Sequence, residues 1–277
     1  MSDGPCRLCL LVGSETVPSW FARAVERAVE RTPAEVTAVV VAVHPSTSRP
    51  ADPRRTSRNP VNRLAARLDA EPDTGGVHVT ALEATAGAPI VFEQLTPETV
   101  VDGRVELPES LVERIAASAD VVVHLGVGIL TGPILTEPAH GVVSYHEGDL
   151  RAYRGSSSGF WEFLEGEPTT AVTVQRLTET LDGGQIVVEA PVDVRDAGSV
   201  LEVRRRLEEA SVPLMAEAIE RLGRPEFDPE TVSEDELGRL YVRADRNATG
   251  PSLRFLRREL PGRIRRLPSG PTDGRPG

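Results

Sequence analysis

Polar residues at 141–155 follow an apolar, strand-like run and carry groups that a catalytic site would need. The run ends in Ser144 and His146, and charged residues including Arg151 and Arg154 follow it between two glycines. An imidazole titrates near neutral pH, so it can donate a proton or hydrogen-bond a developing charge. A lone histidine at a strand end is more often structural, but these polar neighbours make His146 the best single catalytic candidate.

A second candidate, Asp182, lies in the sequence Leu-Asp-Gly-Gly at 181–184. Asp-Gly-Gly makes a good turn between two strands, and this mechanical role is one interpretation of the segment. Because the neighbouring glycines are small, the other interpretation is that the Asp182 carboxylate faces a ligand.

The remaining polar candidates have less support. His124 lies in mid-strand and His140 precedes a strand, and neither has a partner nearby in the sequence. Ser144 lacks the Gly-x-Ser-x-Gly setting of a serine hydrolase. Cys6 and Cys9 lie in an apolar strand-like run with no helix starting at the second cysteine, so we expect them to pack in the core. Since closely spaced Cys and His ligands are absent from the sequence, no metal site is predicted.

The elements that must position these residues follow an α/β pattern. Apolar runs and alternating stretches predict strands at 7–12, 36–43, 77–82, 119–125, 141–146, 169–177 and 185–194. Apolar residues at helical spacing predict helices at 19–31, 61–69, 107–118, 158–165 and 200–222, with a loop over most of 44–76. The strand–helix–strand opening favours a mostly parallel sheet covered by helices on both faces. Its first strand lacks Gly-x-Gly-x-x-Gly, so a standard dinucleotide site is not expected.

Charge and composition limit the partners of the chain. Its 277 residues carry a net charge of -11, and all 31 basic residues are arginines. Lysine-free, acid-rich surfaces suit solvents of very high salt, which leads to the hypothesis of a halophilic host; GC-rich codon usage is the alternative. The acidic balance weighs against general nucleic-acid binding. Without an apolar run of about 18 residues or a leader-like N-terminus, we expect a soluble cytoplasmic protein.

The amino-acid composition of the chain changes after the predicted helix at 200–222. We expect one domain over 1–222 and a C-terminal extension over 223–277. Residues 251–277 hold seven Arg against one Glu and one Asp, with apolar residues at roughly helical intervals: Leu253, Leu256, Leu260, Ile264 and Leu267. Such a tail favours contact with an anionic membrane surface or a lipid-linked substrate. The alternative, which we favour, is that its apolar face docks on the domain and its end is disordered.

A series of short motifs resembles the formyltransferase family that uses 10-formyltetrahydrofolate. The motifs are Gly-Ile-Leu at 128–130, Gly-Val-Val-Ser-Tyr-His at 141–146, Tyr-Arg-Gly at 153–155, Val-Thr-Val-Gln at 172–175 and Leu-Asp-Gly-Gly at 181–184. The resemblance covers roughly residues 90–220 and implies a Rossmann-like α/β fold. The opening strand and helix fit the same fold.

The resemblance also implies a site. His146 matches the family's catalytic histidine, Asp182 matches its aspartate, and Ser144 stands where an asparagine is expected. It implies that Asp182 assists proton removal from an acceptor amine while His146 stabilises the oxyanion. It further implies that the formyl donor 10-formyltetrahydrofolate binds against two backbone segments, through Val127, Gly128, Ile129 and Leu130 in one and Leu181 and Gly183 in the other.

Ser144 is the departure from the family pattern that matters most. A hydroxyl has one donor on a shorter arm than an asparagine amide, and losing one oxyanion donor can cost about 3 kcal/mol. We therefore expect an N-formyltransferase for a small amine, with a nucleotide- or glycan-linked amino sugar favoured. Arg151 and Arg154 would then pair with an acceptor phosphate, or alternatively form surface salt bridges with Glu147 and Asp149. Hydrolysis of formyltetrahydrofolate and non-catalytic binding of folate or a nucleotide sugar are the other hypotheses.

Overall fold

The computed structural model describes residues 5–43, 52–70, 76–96, 99–101 and 104–265. The strands are β1 (Cys6–Val12), β2 (Thr16–Val17), β3 (Ala34–Val43), β4 (Val77–His78), β5 (Ile90–Gln94), β6 (Val100–Val101), β7 (Arg104–Glu106), β8 (Val121–Leu125), β9 (Ile129–Thr131), β10 (Val142–His146), β11 (Tyr153–Gly155), β12 (Thr169–Arg176), β13 (Gln185–Asp193), β14 (Glu230–Thr231) and β15 (Arg239–Tyr241). The helices are α1 (Ser19–Arg31), α2 (Pro60–Leu68), α3 (Val79–Ala86), α4 (Glu109–Ser118), α5 (Phe160–Glu165), α6 (Val200–Leu222), α7 (Arg243–Asn247) and α8 (Thr249–Arg265). Short 3-10 helices span Pro53–Thr56 and Pro133–Leu135.

The central sheet has eight strands in the order β14-β13-β12-β10-β8-β1-β3-β5. From β5 to β10 each strand runs parallel to its neighbour, and we call these five strands the parallel half. β12, β13 and β14 form the antiparallel half, since each is antiparallel to the strand before it. This arrangement confirms the mostly parallel α/β sheet expected from the sequence, and β10 lies at the seam between the halves.

The parallel half is buried on both faces. Leu8 and Leu10 of β1 pack towards α1 and α6, whereas Cys9 and Leu11 pack towards α4. Burial on both faces explains why these strands read as continuous apolar runs. Cys6 and Cys9 are free thiols, and burial raises the pKa of Cys9 to about 12. The expected core role is therefore confirmed for Cys9, while Cys6 is half-buried and packs against the core.

Helices α1 and α6 have the bounds that their apolar spacing predicts. Both pack on the same face of the sheet, where Trp20 of α1 lies edge-on to Tyr145 of β10 with ring centroids 5.0 Å apart. The Ser199 hydroxyl begins α6 by accepting a hydrogen bond from the Glu202 amide at 3.3 Å. Tyr145 donates its hydroxyl hydrogen to the Ser211 carbonyl at 3.0 Å, which ties β10 to the middle of α6.

Two predictions at the β3 side of the sheet need correction. The strand expected at 77–82 is only the two residues of β4, and α3 follows it directly, because the alanine-rich sequence Val-Thr-Ala-Leu-Glu-Ala-Thr-Ala favours a helix. Strand β5 was not expected; it is a five-residue edge strand whose Phe92 is 59% exposed, so its sequence lacks a buried-strand pattern. Residues 44–51 and 71–75 of the expected loop lie outside the described residues.

Residues 239–265 pack on the preceding part of the chain. β15 pairs in parallel with β11, and α8 places Phe255 against Phe160 of α5 with ring centroids 5.4 Å apart. The docked face centres on Phe255 and Leu256, so the apolar positions expected to dock are mostly exposed: Leu253, Leu260 and Ile264. Leu267 lies outside the described residues. Among the residues that the structure describes, no helix combines the length and apolarity needed to cross a membrane.

Candidate active site

The site lies where β10 ends, at the C-terminal edge of the parallel half. The imidazole of His146 is buried, and its Nε2 lies 2.9 Å from the carbonyl oxygen of Tyr153. Because a carbonyl oxygen only accepts hydrogen bonds, Nε2 carries the hydrogen in this contact. The other ring nitrogen, Nδ1, lies 3.8 Å from Oδ1 of Asp182. The fold therefore brings together the two residues that the sequence suggested as parts of one site.

Gly148 makes this orientation of the imidazole possible. A Cβ at position 148 would lie 2.9 Å from His146 Nε2 and 3.1 Å from the Tyr153 carbonyl oxygen. These two atoms are the partners in the hydrogen bond that orients the ring. A larger residue at 148 would therefore displace His146 from its contact with Tyr153.

Asp182 lies in the connection between β12 and β13 and is held there by other elements. Its φ is 43°, in the left-handed region that aspartate tolerates better than most residues. Arg154 donates from Nε to the Asp182 carbonyl at 2.8 Å and from Nη2 to the Leu181 carbonyl at 2.7 Å. The Gln175 side-chain oxygen accepts from the Gly184 amide at 3.1 Å. Arg154 and Gln175 thus fix the backbone on both sides of the carboxylate.

Ser144 lies two residues before His146 on the same face of β10. Its Oγ is 3.3 Å from Nδ1 of His124 and 3.4 Å from the His124 carbonyl oxygen. His124 is the residue of β8 directly opposite Ser144 in the strand register. Burial lowers the pKa of His124 to about 4, so this imidazole is neutral at physiological pH. The hydroxyl of Ser144 consequently has a neutral histidine beside it.

The segment expected to hold the formyl donor follows β8 at the same edge. Val127 and Leu130 are buried in the core below the segment, so their backbone rather than their side chains faces outwards. Gly128 has a φ of 115°, and the following residues enter β9. β9 pairs with β7 on one side, and on its other side no strand pairs with it in the described ranges. This free edge offers amide and carbonyl groups to a flat heterocycle.

One hydrogen bond joins this segment to the loop that carries Asp182. The Gly132 amide, just after β9, donates to Oε1 of Glu179 at 3.0 Å. Beyond β8, a Cβ at Gly126 would meet no atom of the described residues within 4 Å, so this part of the structure leaves space beside the segment. The two backbone segments predicted to contact a pterin are therefore linked to each other, with room at one end.

The two arginines expected to bind an acceptor phosphate have protein partners. Arg151 forms ion pairs with Glu230 and, at 3.6 Å, with Glu189. Arg154 uses its guanidinium for the backbone contacts at Leu181 and Asp182 and reaches the Gly238 carbonyl at 3.3 Å. Their phosphate-binding role stays a prediction. The geometry gives Arg154 a second role, which is to hold the Asp182 loop.

A cavity of about 420 Å³ opens beside Tyr153. Three carboxylates, Asp149, Glu167 and Glu189, line it together with the stacked rings of Tyr153 and Tyr241. Burial and the charge of Asp149 raise the pKa of Glu189. This composition favours a cationic group over an anionic one.

Two residues of this arrangement, His124 and Gln175, were missed as site residues. His124 has no partner in its own strand, which weakens it as a candidate; its partner lies across the sheet, on β10. Gln175 is 2% exposed and occurs in the Val-Thr-Val-Gln motif, but its contact with Gly184 depends on the fold of the hairpin. The available signal was a buried-looking polar residue beside valines near the end of each strand. In the described part of the chain, no cluster of three or more His, Cys, Asp or Glu side chains could hold a metal ion.

Comparison with known protein families shows which family the chain belongs to. A sequence model described as formyl transferase matches residues 15–219, which include β8, β10 and the whole hairpin of Asp182. This chain belongs to the formyl transferase family. The resemblance inferred from the short motifs is therefore confirmed, and the matched region contains each of the predicted site residues.

Among curated relatives, methionyl-tRNA formyltransferases match the chain over limited lengths. The protein from Citrifermentans bemidjiense is 29% identical over 142 residues, covering 51% of this chain and 45% of that protein. The one from Rhizorhabdus wittichii is 36% identical over 107 residues, covering 38% of this chain and 34% of that protein. The chain thus spans less than half the length of these relatives.

Solved structures of family members share the fold. Glycinamide ribonucleotide transformylase 1 from Symbiobacterium toebii superposes with a TM-score of 0.54 at 17% identity, covering 84% of this chain and 96% of that one. An N-formyltransferase from Helicobacter canadensis, solved with folinic acid and dTDP-3-aminofucose, gives a TM-score of 0.52 at 10% identity and covers 87% and 72%. At these identities the similarity shows the Rossmann-like fold and leaves the substrate open.

Proposed function

We propose that this chain is an N-formyltransferase that moves a formyl group from 10-formyltetrahydrofolate to a small amine. The observation that carries the proposal is the meeting of His146 Nδ1 and Asp182 Oδ1, 3.8 Å apart, at the end of β10. That distance is longer than a direct hydrogen bond, so a reacting group can share both side chains. Family membership supplies the reaction class.

The reaction needs one proton to leave the amine and one to reach the leaving nitrogen. The amine nitrogen forms a bond to the formyl carbon, and the bond from that carbon to N10 of the folate breaks. Asp182 accepts the proton from the attacking amine, as a positioned general base, and gives it to N10 as the bond from N10 to the formyl carbon breaks. His146, whose Nε2–H donates to the Tyr153 carbonyl, directs Nδ1 to the same point. In the imidazolium form, with a hydrogen on both ring nitrogens, Nδ1–H donates to the oxygen that becomes negative.

The formyl donor fits the two linked backbone segments. The free edge of β9 supplies hydrogen-bonding groups, and the loop that carries Leu181 and Gly183 is joined to it through Glu179. Ser144, on the same face as His146, adds a hydroxyl donor where other family members are expected to have an asparagine amide. Holding amine and formyl group together at this edge would supply much of the rate enhancement.

For the acceptor we propose an amino sugar linked to a nucleotide or glycan. Support comes from the similar fold of the Helicobacter canadensis enzyme, solved with dTDP-3-aminofucose. A net charge of -11 disfavours a large polyanion such as tRNA. The cavity lined by Asp149, Glu167 and Glu189 suits the ammonium group that an amino sugar carries before deprotonation.

The direct experiment incubates the purified chain with 10-formyltetrahydrofolate, with and without an amine, in low salt and in molar KCl. The amines are dTDP-3-aminofucose and methionyl-tRNA. We expect tetrahydrofolate to form only when the amino sugar is present, with the formylated sugar detected by mass spectrometry. Release of formate without any amine would contradict transfer and indicate hydrolysis. Formylation of methionyl-tRNA alone would contradict the proposed acceptor.

A further inference from the structure

The neighbouring strands β8 and β10 each place one polar side chain at the same level of the sheet. Their register pairs His124 with Ser144, and the residues before them, Val123 and Val143, are apolar and buried. The His124 ring nitrogen Nδ1 and the Ser144 Oγ are 3.3 Å apart. A polar pair in the middle of a parallel sheet is unusual unless its members serve each other or a ligand.

His124 is held in this place at a free-energy cost. It is 8% exposed, and its Nε2 has no hydrogen-bond partner among the described residues. Burial lowers the pKa of the ring and outweighs the nearby Gly128 backbone, which raises it, so the ring stays neutral; no described atom reaches hydrogen-bond geometry with Nε2. A buried N–H without a partner is rarer and costlier than a buried lone pair without one. We therefore assign the ring proton to Nδ1, which faces Ser144.

This tautomer determines what the Ser144 hydroxyl can do. With Nδ1–H donating to Oγ, the hydroxyl keeps its own hydrogen for another acceptor. Among the described residues, the acceptor for this hydrogen is the His124 carbonyl oxygen at 3.4 Å, which is a long contact. The hydrogen is consequently available to a ligand oxygen at the strand end. Ser144 and His146 lie on the same face of β10, about 7 Å apart along the strand.

We infer that His124 is a positioning residue for Ser144, holding its hydroxyl so that it donates to the formyl oxygen; this inference rests on the proposed function. Together the two side chains take the place of the single asparagine amide expected at position 144. His124 supplies the anchor that the shorter serine side chain lacks, while Ser144 makes the contact with substrate. The pair thus compensates physically for the serine that replaces the family's asparagine at position 144.

A double-mutant cycle tests this dependence. The variants are Ser144→Ala, His124→Phe, which keeps a ring of similar shape, and the double variant. We expect each single change to lower kcat on the order of 100-fold, since each removes the same oxyanion contact. The double variant should then be no slower than Ser144→Ala. If the two losses multiply, His124 acts independently of Ser144 and the inference is wrong.

A rescue variant separates positioning from packing. His124→Asn places an amide near the position of the imidazole Nδ1. Its kcat should therefore be at least about tenfold higher than that of His124→Phe, whose loss of kcat we attribute to the oxyanion contact. The KM for 10-formyltetrahydrofolate should change little in this series. Equal kcat for His124→Asn and His124→Phe would show that the ring only fills space.

A spectroscopic measurement keeps the inference separate from the proposed function. In the full chain labelled with ¹⁵N-histidine, we expect the His124 ring to be protonated at Nδ1 and its shifts to change in Ser144→Ala. A proton at Nε2, or His124 chemical shifts that stay the same in Ser144→Ala, would overturn the pairing, whichever group the enzyme transfers. Failure of the wild-type chain to formylate any amine, with the His124 signals as expected, would reject only the proposed reaction.

Discussion

The two halves of the sheet position their polar groups in different ways. In the parallel half, His124 and His146 are buried on strands packed between helices, and Ser144 lies beside His124, so the core limits the freedom of these side chains. In the antiparallel half, Asp182 lies on a turn, and side chains from other elements hold that turn. The site therefore combines groups fixed by the core with a carboxylate fixed by individual hydrogen bonds.

The two ways of positioning have different physical costs. Burying an imidazole in the core removes it from water and disfavours its charged form, so stability and pH become linked. A turn on the surface has no such desolvation cost, but it moves when its hydrogen bonds are lost. We therefore expect changes in the parallel half to alter folding free energy, and changes around the Asp182 turn to alter turnover with little loss of stability.

The largest expected effect on stability is an acid effect from the parallel half. Burial lowers the pKa of His124 to about 4 in the folded chain, from the 6.5 of a solvated histidine, which applies to the unfolded chain. Because the unfolded state binds the proton more tightly, stability is fully present above pH 6.5 and falls as the pH drops towards 4. We expect this group to remove about 3 kcal/mol between pH 7 and pH 4.

The measurement is the free energy of urea unfolding at pH 7 and pH 4 in the wild type and in His124→Asn. The carboxylates contribute to both proteins, so the difference between their two losses isolates His124. The wild type should lose more stability than the variant on acidification. Equal losses in the two proteins would contradict the idea that the parallel half carries a desolvated histidine.

A smaller expected effect, this time on catalysis, comes from the turn. Arg154→Ala removes the donors to the Leu181 and Asp182 carbonyls, so the carboxylate loses its fixed position. A misplacement of about 1 Å can lower kcat on the order of 100-fold, and we expect a loss of that size with little change in melting temperature. Steady-state kinetics and thermal unfolding of the same preparation check both statements.

The matched control for this change is Arg205→Ala on α6, where the arginine is exposed and pairs only with Glu209 among the described residues. It removes the same charge and should keep wild-type kcat. If Arg154→Ala instead lowered the melting temperature strongly and left kcat unchanged, the contrast between the two halves would be wrong.

Sequence periodicity was sufficient for most of the fold. Helices α1 and α6 have their predicted bounds because their apolar residues repeat at helical spacing, and β1 and β3 were evident as continuous apolar runs. The edge strand β5 was not predicted, because an edge strand with an exposed Phe92 has neither a continuous nor a clearly alternating pattern.

The candidate site was predictable only in part. The motifs singled out His146 and Asp182, and the structure places them together. The contacts of His124 with Ser144 and of Arg154 with the Asp182 turn could not be predicted, because they depend on strand register and on the packing of distant segments. The docked face of α8 was misjudged for a similar reason, since its Glu259 side chain accepts a hydrogen bond from the Val200 amide at 2.9 Å and turns that face inwards.

The central claim is that His146 and Asp182 form one site for formyl transfer. Its most direct measurement is the rate of tetrahydrofolate formation from 10-formyltetrahydrofolate and an amino sugar nucleotide by His146→Ala and Asp182→Asn. We predict that each variant, folded as judged by thermal unfolding, is slower than the wild type by about a thousandfold, while His78→Ala, an exposed histidine, keeps full activity. Wild-type rates in both site variants would contradict the claim.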